Sequence, residues 1–173
     1  ILESTETSGV GGTLNTTATT FNLGDDAADK QYRAVLSFNT TGLPDNAVIK
    51  KVTLKIRKQS LVGTDPFTTH GRLLAEIRKP YFGTSAALVV SDFQATANKT
   101  AGLFGITPVS NWYSVTIGVV SYPYINLTGL TQFRLRFQKD DNDDRSADYM
   151  RFFSGNYVTV SARPTLIIEY TVP

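Results

Sequence analysis

A chain of 173 residues, 41% apolar and only 18% charged, has the size of one domain that can bury a core without covalent staples. A formal charge of +2, with no basic run longer than Lys50-Lys51 or Arg57-Lys58, argues against a nucleic-acid partner, and no apolar run approaches the ~18 residues a spanning helix needs. The absence of cysteine excludes disulfides, thiol chemistry and Cys-ligated zinc, but not secretion.

The chain opens on Ile1-Leu2-Glu3-Ser4-Thr5, a strand-like stretch, followed by the glycine-rich Ser8-Gly9-Val10-Gly11-Gly12. With no Met ahead of Ile1, it reads as a mature end. Residues 1–12 are therefore expected to form a strand-exchange segment, able to pair with the open sheet edge of another copy. Asp25 and Asp26 follow, then a strand over Gln31–Phe38 and a turn at Gly42-Leu43-Pro44-Asp45-Asn46. Val52-Thr53-Leu54-Lys55-Ile56-Arg57-Lys58 alternates apolar with polar, so Val52, Leu54 and Ile56 share one face of a strand. After a turn at Gly63-Thr64-Asp65-Pro66 comes His70, the single histidine, then a strand over Arg72–Arg78 closed by Lys79-Pro80. Ala86–Phe93 reads as one helical turn or a strand-linking loop, and Trp112–Ile117 as another strand.

Tyr122-Pro123-Tyr124 is expected to be extended, with both rings on one side, and joins Trp112 as a candidate sugar-binding platform. Neighbouring residues of a strand face opposite ways, so one of Trp112 and Tyr113 belongs to the core. Phe133-Arg134-Leu135-Arg136-Phe137 alternates again, with arginine between the apolar positions. The acidic loop 140–148 follows, then a strand at Met150–Phe153 and a turn at Ser154-Gly155-Asn156. Pro164 introduces a last strand carrying Leu166, Ile168, Tyr170 and Val172. Many short strands with regular turn signals, no long helical period and no composition shift predict one domain, residues 1–173. Its class is all-β, a two-sheet antiparallel sandwich of jelly-roll type.

Gly24-Asp25-Asp26, Gln31–Phe38, Leu43–Ile49, Val52–Ile56 and the closing Pro164–Tyr170 together resemble the DNRLRE-type family of carbohydrate-binding-module-like jelly rolls, appended to secreted bacterial and archaeal proteins. The likeness spans most of the chain but rests on core and turn positions. It implies a sandwich fold and secretion, and little about activity. The segment Thr64–Gly83 and the loop Asp140–Asp148 depart from that pattern.

Asp140, Asn142, Asp144, Ser146 and Asp148 stand at alternate positions, echoing the oxygen spacing of a calcium loop. Arg145 replaces the sharp-turn glycine and Arg151 the closing bidentate glutamate, which rejects an EF-hand. The expectation is a looser structural Ca²⁺ site from Asp140, Asn142, Asp144 and Asp148, joined by Asp25, Asp26 or Asp29. Ion pairing with Lys30, Arg33, Lys139 or Arg145 is the alternative use of the same carboxylates. Four Asn-x-Thr sequons, at Asn15, Asn39, Asn98 and Asn126, predict a glycosylated protein outside the cell or on its surface. One histidine, no Gly-x-Ser-x-Gly elbow and no facing pair of glutamates give no catalytic set, so no enzyme is expected. The predicted role is a self-associating subunit of a fibre, partnered by copies of itself. A carbohydrate-binding module on polysaccharide is the alternative.

Overall fold

The computed structural model describes all residues, 1–173, as two antiparallel β-sheets packed face to face. The strands are β1 (Leu2–Glu3), β2 (Gly11–Thr13), β3 (Thr20–Asp25), β4 (Gln31–Tyr32), β5 (Ala34–Asn39) and β6 (Val48–Val62). After the one-turn helix α1 (Pro66–Thr69) come β7 (Leu73–Arg78), β8 (Lys99–Leu103), β9 (Trp112–Thr116), β10 (Leu130–Phe137), β11 (Tyr149–Phe153) and β12 (Thr165–Thr171). The larger sheet runs β12-β6-β11-β3-β4-β1-β2, with β9 also paired to β6, and the smaller runs β5-β10-β7-β8. This is the expected all-β sandwich, with its strands divided unequally between the layers.

The alternating sequences face as their pattern predicts. Val52, Leu54 and Ile56 of β6 meet Phe133, Leu135 and Phe137 of β10 in one cluster of 20 buried residues. Burying each such side chain contributes roughly 1.5–3 kcal/mol. Tyr113 is the core member of its pair and Trp112 lies half-buried outside. The strand β6 extends to 15 residues, well beyond the alternating stretch, because β12, β9 and β11 all hydrogen-bond along it.

Three features differ from the sequence expectation. The strand read over Gln31–Phe38 breaks at Arg33, so β4 belongs to the larger sheet and β5 to the smaller. Arg33 makes that crossing with its guanidinium 3.9 Å from the Phe93 ring centre, its Nη1 donating to Phe93 O at 2.6 Å and its Nε to Gln31 Oε1. The second difference is Arg134, which alternation places on a wet face but which is only 4% exposed. The segment after β7 folds across that face, burying Phe82 and Phe93 beside it. Arg134 Nη1 donates to the carbonyls of Asp92, Phe93 and Ala95, while its Nε and Nη2 reach Glu76 Oε2, both at 2.7 Å. Third, Tyr170 and Val172 run past the end of the core and are exposed, though they share the pattern of Leu166 and Ile168.

Candidate functional site

The acidic loop folds back over the start of α1 and the end of β3, and two glycines make the approach feasible. Gly63 has φ +67° and Gly24 φ +126°, and a Cβ on either would collide with the backbone of Ala147 or Asp148. Asp148 is thereby buried. Its Oδ1 accepts from Thr64 N at 2.6 Å, its Oδ2 from Asn142 Nδ2 at 3.2 Å, and its own N–H donates to Asp25 Oδ1 at 3.0 Å. Asn142 Nδ2 also donates to Asp144 Oδ2 at 3.0 Å.

The predicted ligand set is thus only partly assembled. Asp25, Asn142, Asp144 and Asp148 form one connected network, whereas Asp26 turns to cap Ala28 N and Lys30 N and pairs with Lys30 Nζ at 3.4 Å. Asp140 is exposed and makes no hydrogen bond with the network. No three of the Asp, Glu or His side chains are grouped so as to hold a metal ion. The backbone N–H groups of Thr64, Asp148 and Ser146 occupy carboxylate oxygens that a cation would otherwise take. Two features still leave polar groups of the loop incompletely satisfied. The Asp141 carboxyl is pushed up to about 6, by burial first and then by the charges of Asp140, Asp143 and Asp29. The Oδ1 of Asn142 is buried without a partner.

Two further residues bear on this network, Asp29, which the sequence offers as a candidate, and His70, which it does not. Asp29, in the left-handed region at φ 56°, is 3% exposed and accepts from Arg145 N at 2.9 Å. His70 is fully buried, with Nε2 3.2 Å from Asp25 Oδ2 and Nδ1 2.6 Å from Thr69 Oγ1, its ring edge-on to Phe137. His70 Nε2 and Asp25 Oδ2 face each other in the interior without forming an aligned hydrogen bond, and neither atom has another partner. Local sequence around His70 carries no sign of a partner 45 residues earlier; only the sandwich brings β3 beside α1.

The N-terminal residues Ile1, Leu2, Glu3, Ser4 and Thr5 are seated in their own larger sheet. Leu2 pairs with Thr13 and Tyr32, and Ile1 exchanges hydrogen bonds with Arg33. Glu3, 2% exposed, is the latch: Oε1 accepts from Gly9 N at 2.5 Å and Ser8 Oγ at 3.3 Å, and Oε2 from Gln31 N at 3.2 Å.

The outer edge of β5 is unpaired, as is that of β12. A groove of about 770 Å³ follows the β5 edge, lined by Ile1, Phe21, Leu36, Phe38, Leu88 and Arg163 among others. Phe38 also lines a second groove of about 350 Å³, whose other apolar walls are Leu43, Leu166 and Ile168. These side chains pack on the core yet stay partly open, as inward residues do where a covering strand is missing.

The aromatic platform is corrected by the structure. Tyr122-Pro123-Tyr124 lies in a 3-10 turn over Val119–Tyr124, not in an extended segment, and both tyrosine rings pack against the core. Tyr122 Oη donates to Lys50 O at 3.2 Å. Trp112 stands apart, with Lys55 Nζ 5.2 Å from its ring centre. Against known proteins, neither the protein-family models nor the curated sequences give a match to this chain.

Proposed function

We propose that this chain is a non-catalytic structural module, working outside the cell or on its surface, that assembles with copies of itself by β-strand addition. The observation that carries the reading is the pair of unpaired edges, β5 and β12, flanking a groove walled by Phe38, Leu43, Leu166 and Ile168. A strand laid along β5 would satisfy its free backbone groups and cover those side chains. The donor in this reading is residues 1–12 of a second copy. That segment holds its own sheet through a two-residue strand and lies against the groove through Ile1. Repeated head-to-tail, an exchange of this kind whose rotation does not close propagates as a filament.

The test combines negative-stain microscopy and light scattering on the wild type, on a chain lacking residues 1–9 and on Leu43→Lys. Filaments or concentration-dependent oligomers of the wild type, lost in both variants while their β-type circular dichroism persists, support assembly. A wild type that stays monomeric at every concentration, or variants that assemble equally well, overturns it.

Structural calcium at the acidic loop belongs to the same proposal, supported by the raised Asp141 carboxyl and the orphaned Asn142 Oδ1. An upward shift in melting temperature with Ca²⁺, absent with Mg²⁺, supports it; no shift in excess Ca²⁺ removes it. Carbohydrate binding is the second reading, favoured by the half-buried Trp112 ring beside Lys55. Retention on insoluble polysaccharide, lost in Trp112→Ala, would select it.

A further inference from the structure

The four sequons are alike in sequence but differ in what the fold does with their amides. Asn15 is exposed, and its Oδ1 accepts from Thr17 N at 3.0 Å, Thr17 Oγ1 at 3.3 Å and Ala18 N at 2.9 Å. Asn39, at the end of β5, repeats the arrangement, with Oδ1 accepting from Thr41 N at 3.1 Å and Thr41 Oγ1 at 2.7 Å. In both, the carbonyl oxygen is tied inward to the turn. The Nδ2 amide and the threonine two residues on are presented together at the surface, as an enzyme reading both groups requires.

Asn126 has the same local bonds in weaker form, at 3.4 Å to Thr128 N and 3.3 Å to Thr128 Oγ1, but it is 9% exposed. Its Nδ2 is packed on Gly129 so closely that a Cβ there would lie 2.6 Å away. A sugar on that nitrogen has no room unless the Asn126–Leu130 turn opens. Asn98 is half-buried; its Oδ1 accepts from Lys79 N at 2.8 Å, and no bond joins it to Thr100, which is held in β8.

We propose that Asn15 and Asn39 are the N-glycan acceptors of this protein, and that Asn98 and Asn126 are structural residues that stay unmodified. The inference rests on the extracellular reading above. In the step, a bond forms between Asn Nδ2 and the sugar C1 of a glycosyl-phosphate donor. The C1–O bond to phosphate breaks, the phosphate leaves with the electron pair, and the amide gives up one proton.

Glycopeptide mass spectrometry of protein isolated from its secreting cells, or from a secretion-competent host with an N-glycosylation system, reads occupancy site by site. Glycan mass is expected on Asn15 and Asn39, with Asn98 and Asn126 free, and Thr41→Ala should strip Asn39 while leaving Asn15 modified. Sugar on Asn126 or Asn98 at an occupancy similar to that of Asn15 overturns the inference, as does an unmodified Asn15 or Asn39. Absence of sugar at every sequon also overturns it. If filaments persist in that case, assembly by strand addition still stands. Glycans on Asn15 and Asn39 without filaments uphold the acceptor assignment and remove assembly.

Discussion

Glu3→Ala tests the hold on the N-terminal strand. The substitution removes the acceptor of Gln31 N, in the interior, and of Gly9 N, nearer the surface. A buried donor left unsatisfied costs about 1–3 kcal/mol, while Gly9 N can turn to water at little penalty, so the expected loss is on the order of 2 kcal/mol. Most of it should fall on β1, which keeps only its backbone pairs to β2 and β4. Hydrogen exchange then separates local release from global weakening. The amides of Ser4, Arg33 and Gln31 should exchange roughly thirtyfold faster, as 2 kcal/mol implies, while those of β10 keep their protection. Under the assembly proposal the freed strand also shortens the lag before filaments form. Wild-type exchange at Ser4 and Gln31 in the variant would show that the carboxylate does not hold the segment and refute the reasoning.

Further outcomes follow from the buried charges. Burial raises the Glu76 carboxyl, but the Arg134 and Arg136 guanidiniums outweigh it and hold the group below its ordinary value. Its contribution is therefore full above the unfolded-state pKa and lost as pH falls through the folded one; unfolding free energies of wild type and Glu76→Gln from urea titration should converge at low pH and differ by about 3–5 kcal/mol at pH 7. Equal unfolding free energies at pH 7 would exclude that role. Asp141 has the opposite sign: its carboxyl is raised from 3.8 to about 6 in the fold, so the cost to folding builds as pH rises between those values and is full above the higher one. Asp141→Asn should melt higher than wild type at pH 7.5 without calcium, with the advantage gone by about pH 4, as thermal scans at both pH values would show. His70→Ala opens a cavity against Phe137 in the interior, so a loss of roughly 2–5 kcal/mol is expected by denaturant unfolding.

Much of the sandwich is legible in the chain because its physical cause is local. Alternation over Val52–Ile56 and Phe133–Phe137 sets which side chains face inward, whatever the partners are, and both rows are fully buried. The Gly63–Pro66 turn and the short helical turn within Ala86–Phe93 follow from the same local rules, with Asp65 Oδ1 accepting from Phe67 N at 2.9 Å to start α1. The strands β2, β3 and β8 are weaker in sequence: glycine interrupts each, and their pairing depends on neighbours far along the chain.

What local rules cannot reach is which elements meet. An arginine between two phenylalanines reads as surface until a distant loop supplies three carbonyls and β7 supplies Glu76, making Arg134 interior. The acidic loop advertises itself by charge density, yet whether its carboxylates face a cation or backbone N–H groups is decided by Thr64 and Asp25, brought in from two other strand ends. The same holds for the four Asn-x-Thr sequons, whose acceptor amides packing makes unequal. Periodicity and turn chemistry determined the class and the inward faces. Long-range contact determined the charge network, the Arg33 crossing between sheets and the open β5 edge, because burial and pairing are properties of two segments and neither carries the other's address.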